Sequence, residues 1–307
     1  MIHKCPPRVH HRDLNIKILG QKIALVKTQK YLGIVIDSKL QFESHASYSA
    51  RKARQITMGL RNFAARRFGQ TSETSLRTIY HRAIVPILSY GSRIWKDRLH
   101  LEKNRRQYLS AQAPINRILS KSYASVSKEA AAVLAGNLPM DLEIEIRNCL
   151  SEIKHGRNVT FLGEIITPNT FDSRHHCKEY INLRAIDCWQ SRWEAAPKGR
   201  TTFQFVPDVY RRLTGPEINF SHNKTQVLTG HGNFKIHQER LGKSENGHCQ
   251  SCFNIDDDPI HRILDCPNFE EARNKLRASL NWPPDLTLVP YLEDDTIFEM
   301  LAKSDTV

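Results

Sequence analysis

The chain has 307 residues, 40% hydrophobic and 25% charged, which excludes wholesale disorder, and it carries no run near the roughly 20 apolar residues of a membrane helix. Its first residues, MIHKCPPRVHHR, contain no apolar signal core, so secretion is not expected. The net charge of +13 is uneven: residues 1–128 carry 25 Lys/Arg against 6 Asp/Glu, and residues 129–307 carry 20 against 26, a split that argues for at least two domains and a polyanionic partner for the first.

Residues 14–36 read as strands. LNIKIL and KIALVK flank a turn at Gly20-Gln21, and the apolar run YLGIVID reads as a buried strand ending at Asp37-Ser38. From Glu43 to Phe68 the spacing predicts a helix. Ala53, Ile56, Leu60, Phe63 and Ala64 form its apolar stripe, and Arg51, Lys52, Arg54, Arg61, Arg66 and Arg67 cover much of the rest. A second helix opens at Thr71-Ser72, with Pro86 as a kink or an early end. A third runs from Leu99 to Leu119. A fourth opens at Ser127 and stops at Gly136, and a fifth runs from Pro139 to Lys154. Residues 156–180 are weakly patterned and read as a linker or long loop. Glu179–Glu194 again reads as helix, with Trp189 and Trp193 one turn apart. The expected architecture is mainly α with a small N-terminal β element (α+β). It comprises a β-hairpin and strand over 1–42, a basic helical domain over 43–155, a linker with the tryptophan helix over 156–215, and a C-terminal domain over 216–307.

The most specific chemistry lies in that last segment. Cys249-x2-Cys252-x8-His261-x4-Cys266 supplies three sulfurs and one imidazole, a donor set suited to tetrahedral Zn²⁺. Four protein ligands leave no open position for water, so the expected role is structural. His248 is a competing ligand, though its adjacency to Cys249 makes joint ligation awkward. Asp256, Asp257 and Asp258 are expected to solvate the intervening loop. Cys5, Cys149, Cys177 and Cys188 lack such spacing and read as ordinary thiols; His175, His176 and Cys177 are a weaker second cluster. Two-metal chemistry needs converging carboxylates. Asp37-x4-Phe42, Asp256-Asp257-Asp258 and Asp294-Asp295 each lack the required aromatic or partner. Gly230-His231-Gly232 reads as a tight turn, with a hydrolase built on His231 as the remote alternative.

Several segments taken together resemble non-LTR retrotransposon reverse transcriptases of the ribosomal-DNA-inserting type. Tyr31-Leu32-Gly33-Ile34-Val35-Ile36-Asp37, with Leu40, Phe42 and His45, is similar to the segment that follows the palm. Tyr80, Pro86, Leu88, Ser89, Tyr90, Gly91 and Trp95 follow in family order. So do Gln107, Leu109, Ile115, Arg117 and Ala135-Gly136-x-Leu138-Pro139. In the C-terminal half, Trp189-x3-Trp193, Gly199-Arg200-Thr201-Thr202, Thr225 to Phe234 and His261-x4-Cys266-Pro267 resemble the family's tail. The eight residues before His261 depart from the four of a retroviral zinc knuckle.

The resemblance implies a thumb plus zinc-bearing tail of an RNA-directed DNA polymerase. The helical thumb would grip RNA and DNA, as a hybrid or duplex, by the backbone through Arg51, Lys52, Arg54, Arg61, Arg66 and Arg67. Zn²⁺ would sit on Cys249, Cys252, His261 and Cys266. The fingers and palm, with the catalytic aspartates and their Mg²⁺, would lie upstream, and neither an RNase H nor an endonuclease pattern is visible. The chain alone is therefore expected to hold nucleic acid without polymerising or cutting it. Its implied location is the nucleus and no membrane partner is implied. The alternative is a free-standing, zinc-dependent nucleic-acid-binding protein derived from such an element.

Overall fold

The structure, a computed structural model, describes residues 16–66 and 73–303. The side chains of 61–66 fall outside that description, as do Cys5, Arg67 and the expected helix start at Thr71-Ser72. Helices dominate, and each sheet among the described residues is a two-stranded antiparallel hairpin, so the chain is mainly helical α+β as expected.

Strands β1 (Lys17–Ile18) and β2 (Gln21–Lys22) form the first hairpin; β3 (Thr28–Tyr31) and β4 (Ile34–Asp37) form the second. Both turns are Leu-Gly pairs, Leu19-Gly20 and Leu32-Gly33, with positive φ at both residues. That backbone matches the right-handed strand twist of a two-residue loop. The first turn therefore lies one residue before the expected Gly20-Gln21. The YLGIVID run is not one strand either: it reverses at Leu32-Gly33, leaving Tyr31 and Leu32 exposed and Ile34 buried.

Helix α1 (Glu43–Arg66) follows a loop held by Asp37, whose carboxylate accepts the backbone N–H groups of Lys39, Gln41 and Phe42. Of the predicted α1 stripe Ala53 is buried, Ile56 and Leu60 are only half-buried, and the side chains of Phe63 and Ala64 lie outside the described residues; among the described side chains the buried face of α1 runs through Ala46, Ala50, Ala53 and Thr57. These small side chains permit close approach to α3 (Val85–Leu88). Helix α2 (Glu73–Ile79) reaches α3 through a widened π turn at Tyr80–Ile84. Pro86 does not end the helix, because the looser turn just before it accommodates the missing N–H and the ring.

After Gly91 come α4 (Ser92–Trp95), a tight turn at Lys96–Arg98 and α5 (Glu102–Leu119). Trp95 is buried, donates its indole N–H to the Tyr90 carbonyl and stacks on Tyr108 with ring centres 5.0 Å apart. Tyr90 and Gly91 close on the second hairpin. The Tyr90 hydroxyl donates to the Leu32 carbonyl at 3.1 Å, and a Cβ on Gly91 would lie 2.5 Å from Ile34.

Helix α6 (Lys128–Ala135) starts at the Ser127 cap and stops at left-handed Gly136; α7 spans Met140–Lys154. The stretch expected as a loop contains a hairpin of β5 (Val159–Phe161) and β6 (Glu164–Ile166). Helix α8 (Arg174–Glu194) begins at Arg174, capped by Ser173, rather than at Glu179, and buries both Trp189 and Trp193. Then come α9 (Arg200–Phe205), α10 (Val209–Thr214), α11 (His222–Thr229), α12 (Lys235–Arg240), α13 (Pro259–Leu264), α14 (Glu270–Ser279) and α15 (Asp295–Ala302). The chain folds into two compact units, one of residues 1–112 and 140–170 and the other of 113–139 and 171–307, so α5 contributes to both. No described helix is long and apolar enough to cross a membrane.

Candidate metal centre and basic helix face

Residues 247–257 fold back on themselves: the Cys249 N–H donates to the Ile255 carbonyl and the Asp257 N–H to the Gly247 carbonyl. This loop presents Cys249 and Cys252. Asp258 then caps α13 by accepting the His261 N–H at 2.8 Å, which sets His261 one turn into the helix. The chain leaves α13 through Cys266, whose N–H donates to the His261 carbonyl. The ligand atoms of Cys249, Cys252, His261 and Cys266 come together within 4.8 Å of one another, and no other such group of His, Cys, Asp or Glu converges among the described residues.

Two observations show that these residues fit a metal ion. Neither ring nitrogen of buried His261 has a hydrogen-bond partner, an expensive state that a metal bond relieves at one of them. The Cys249 and Cys266 sulfurs are 3.6 Å apart. That is too far for a disulfide at about 2.05 Å. It is close to the ~3.8 Å edge of a tetrahedron with metal–sulfur bonds of about 2.3 Å. Burial, reinforced by the Cys249 and Cys252 thiols, pushes the Cys266 thiol up to about 12, so a cation's charge is what would allow it to ionise.

The support around the cluster was only partly foreseen. Asp256 and Asp258 do lie in the loop, one beside His248 and the other as the helix cap. Asp257, expected to be solvated, is instead fully buried. It forms a two-pronged ion pair with fully buried Arg262 at 2.6 Å on each prong, and accepts the Lys235 N–H. The Arg262 guanidinium lies between the Phe234 and Phe269 rings and donates to the carbonyls of Leu301, Lys303 and Asn233. Arg273 donates to the Cys266 carbonyl. One short helix thus aims His261 at the thiols and Arg262 into the apolar interior of its unit.

The remaining sequence candidates take ordinary roles. His248 pairs with Asp256 outside the cluster, and His175, His176 and Cys177 do not converge as a ligand group. Cys149 and Cys177 are buried and Cys188 is half-buried. His45 is buried, accepts the Val35 N–H on Nδ1 and lies beside Trp95; burial holds its pKa below the usual imidazole value. Asp294 caps α15, and Asp295 accepts the Ser221 hydroxyl.

On α1, Arg51, Lys52 and Arg54 are exposed, and none of them pairs with a carboxylate among the described residues. Arg61 and Arg66 lie on the same helix with side chains outside the described residues, and Arg67 lies outside them altogether. An aromatic that the sequence reading passed over sits among these cations. The Tyr48 hydroxyl is 2.8 Å from the Lys30 ammonium, and the Lys52 ammonium lies 5.1 Å from the ring centre. These two lysines hold the Tyr48 pKa below that of an ordinary phenol. Its i, i+4 spacing from Lys52 was the available signal.

No family model and no solved structure matches the chain. Among curated proteins it is similar to the retrovirus-related Pol polyprotein from type-1 retrotransposable element R1 4 of Nasonia vitripennis. The two are 33% identical over 273 residues, covering 86% of this chain and 67% of the relative. An R1 Pol polyprotein of Bradysia coprophila is 30% identical over 84% of this chain but only 26% of its own length. A second Nasonia vitripennis protein, from element R1 3, is 26% identical over 83% of this chain and 68% of the relative. The chain thus spans about two thirds of these wasp relatives and about a quarter of the Bradysia one. With similarity of this extent over most of its length, the chain belongs to the Pol polyproteins of type-1 R1 retrotransposable elements.

Proposed function

We propose that this chain is the nucleic-acid-gripping part of a retrotransposon RNA-directed DNA polymerase. The basic helical segment 43–155 acts as a thumb after the β element of 1–42, and segment 216–307 is built around a structural Zn²⁺. The observation that carries the reading is α1: Arg51, Lys52 and Arg54 are exposed on one helix with no carboxylate partner among the described residues, and Lys52 lies over the Tyr48 ring. Such charges bind phosphates without reading bases. Arg61, Arg66 and Arg67 are proposed to add to these contacts. The thumb would close on an RNA–DNA hybrid or duplex held against an upstream fingers and palm, whose carboxylates bind the Mg²⁺ of polymerisation, and the work would take place in the nucleus. Cys249, Cys252, His261 and Cys266 would give the ion four protein ligands, a set suited to a structural role.

The test is fluorescence anisotropy of the full chain on an RNA–DNA hybrid across a salt series. Arg51→Ala, Lys52→Ala and Arg54→Ala combined should lower affinity equally for unrelated sequences and reduce the salt slope by about 2.7, three contacts at ~0.9 each. An unchanged slope in the folded variant removes α1 from the interface.

A further inference from the structure

The second unit contains a cleft of 870 Å³. Two motifs that neither the metal centre nor the thumb uses meet there: Gly199-Arg200-Thr201-Thr202 at the start of α9, and Thr229 at the end of α11 with His231 just beyond it. The first turn of α6 lines the same cleft and adds the positive end of its dipole. Close approach is built in: Gly199 has φ of +78°, and a Cβ there would lie 2.9 Å from Ala130.

The charge around the cleft is one-sided. Arg117, Lys128, Lys198, Arg200 and Arg240 line it, against Glu129 as the one carboxylate. Arg117 is held by the Val126 carbonyl with the Glu129 carboxylate as a counter-charge, whereas Arg200 is held by the carbonyls of Trp193, Glu194 and Ala196, which leave its charge uncompensated. Among the described residues, Lys128, Lys198 and Arg240 make no ion pair or side-chain hydrogen bond. Like charges gathered on a concave surface repel one another and concentrate field into the cavity, which favours an anion there.

Two buried polar groups in the cleft lack partners. The Thr202 hydroxyl is fully buried with no hydrogen-bond partner among the described residues. His237 is 7% exposed, its Nδ1 lies 3.0 Å from the Gly232 nitrogen and 3.2 Å from the Gly232 carbonyl oxygen, and its Nε2 has no partner among the described residues. A buried donor without an acceptor is costly, and an oxygen atom of a bound anion would accept the Thr202 hydroxyl.

We propose that this cleft is a phosphate-ester site, taking the phosphates of a single-stranded nucleic acid segment or of a free nucleotide. Its volume falls within the ~300–1,000 Å³ of small-ligand sites, and the surplus of positive charge calls for more than one anionic group. The site is separate from α1 and does not depend on the thumb reading.

The experiment uses the full zinc-loaded chain, a short oligouridylate, AMP and inorganic phosphate. Lys128→Gln, Lys198→Gln and Arg240→Gln combined should lower oligouridylate affinity about tenfold and cut its salt slope by about 2, three contacts at ~0.7 each, with the melting temperature preserved. Thr202→Val should lower it severalfold, and Thr202→Ser should restore it. Displacement of the oligonucleotide by AMP supports a nucleotide as the natural ligand. Loss in the triple variant without such displacement supports the strand backbone. The α1 variant should leave the Thr202 effect in place, so the two interfaces fail separately. Wild-type affinity and salt slope in the triple variant, with no stabilisation of the wild type by phosphate or AMP, would overturn the proposal.

Discussion

Asp257→Asn removes one charge and almost no volume, which isolates the electrostatics of the buried pair with Arg262. Both partners have fully buried side chains, and both prongs of the contact are 2.6 Å. In the variant, the guanidinium keeps its three carbonyl partners and both rings but loses its counter-charge. Breaking a buried pair on one side costs about 3–5 kcal/mol, because the remaining charge is still out of water. For a unit of 150–250 residues each kcal/mol moves the melting temperature by about 2–4 °C, so a fall of about 6–20 °C is expected. Differential scanning calorimetry of the zinc-loaded chain measures it. The double variant Asp257→Leu with Arg262→Met should recover most of the loss, since an apolar pair removes the stranded charge. A shift below about 1 kcal/mol for Asp257→Asn, or a double variant worse than the single, refutes the account of Arg262 as a charge that needs this partner.

Cys249→Ser with Cys266→Ser should abolish stoichiometric zinc, read by atomic absorption, and lower the melting temperature of the second unit; retained zinc would assign the metal elsewhere. Gly91→Ala should destabilise the first unit by about 1–3 kcal/mol in urea unfolding, since it combines left-handed backbone with a Cβ driven into Ile34. Acidification should also weaken the first unit. Burial lowers the folded-state pKa of His45, so its contribution is complete above the ordinary imidazole value of 6.5 and is lost as the pH falls below it. The slope is at most about 1.4 kcal/mol per pH unit for this one site, and it should diminish in His45→Gln.

The parts of this fold that were legible in the sequence are those set by local chemistry. Ser127 and Gly136 bracket α6 because a hydroxyl cap and a left-handed stop act within a few residues. Cys249, Cys252, His261 and Cys266 could be grouped because a short loop and one turn of helix bring them together. The errors came where distant residues decide. Leu-Gly is a weak turn signal, and nothing near Leu32-Gly33 in sequence announces that the Tyr90 hydroxyl, 58 positions downstream, donates to the Leu32 carbonyl. Asp257 read as solvated because nothing nearby in sequence announces that Phe234, Phe269 and the carbonyls of the final helix enclose Arg262. The cleft beside α9 was likewise hidden, since its cations come from segments between Arg117 and Arg240 that mean nothing separately.

The chain passes between its two units three times, near residues 112, 139 and 170. During synthesis the amino-terminal unit cannot finish folding when its own first stretch emerges. It must wait while residues 113–139, which belong to the other unit, are made and set aside. At about 5–20 residues per second that delay lasts about 1–5 seconds, with Tyr80 and Gln112 still lacking the α7 start that Gln112 receives through the Met140 N–H. No single cut releases either unit intact, so a fragment ending within α5 or α6 would expose apolar surface that the full chain covers.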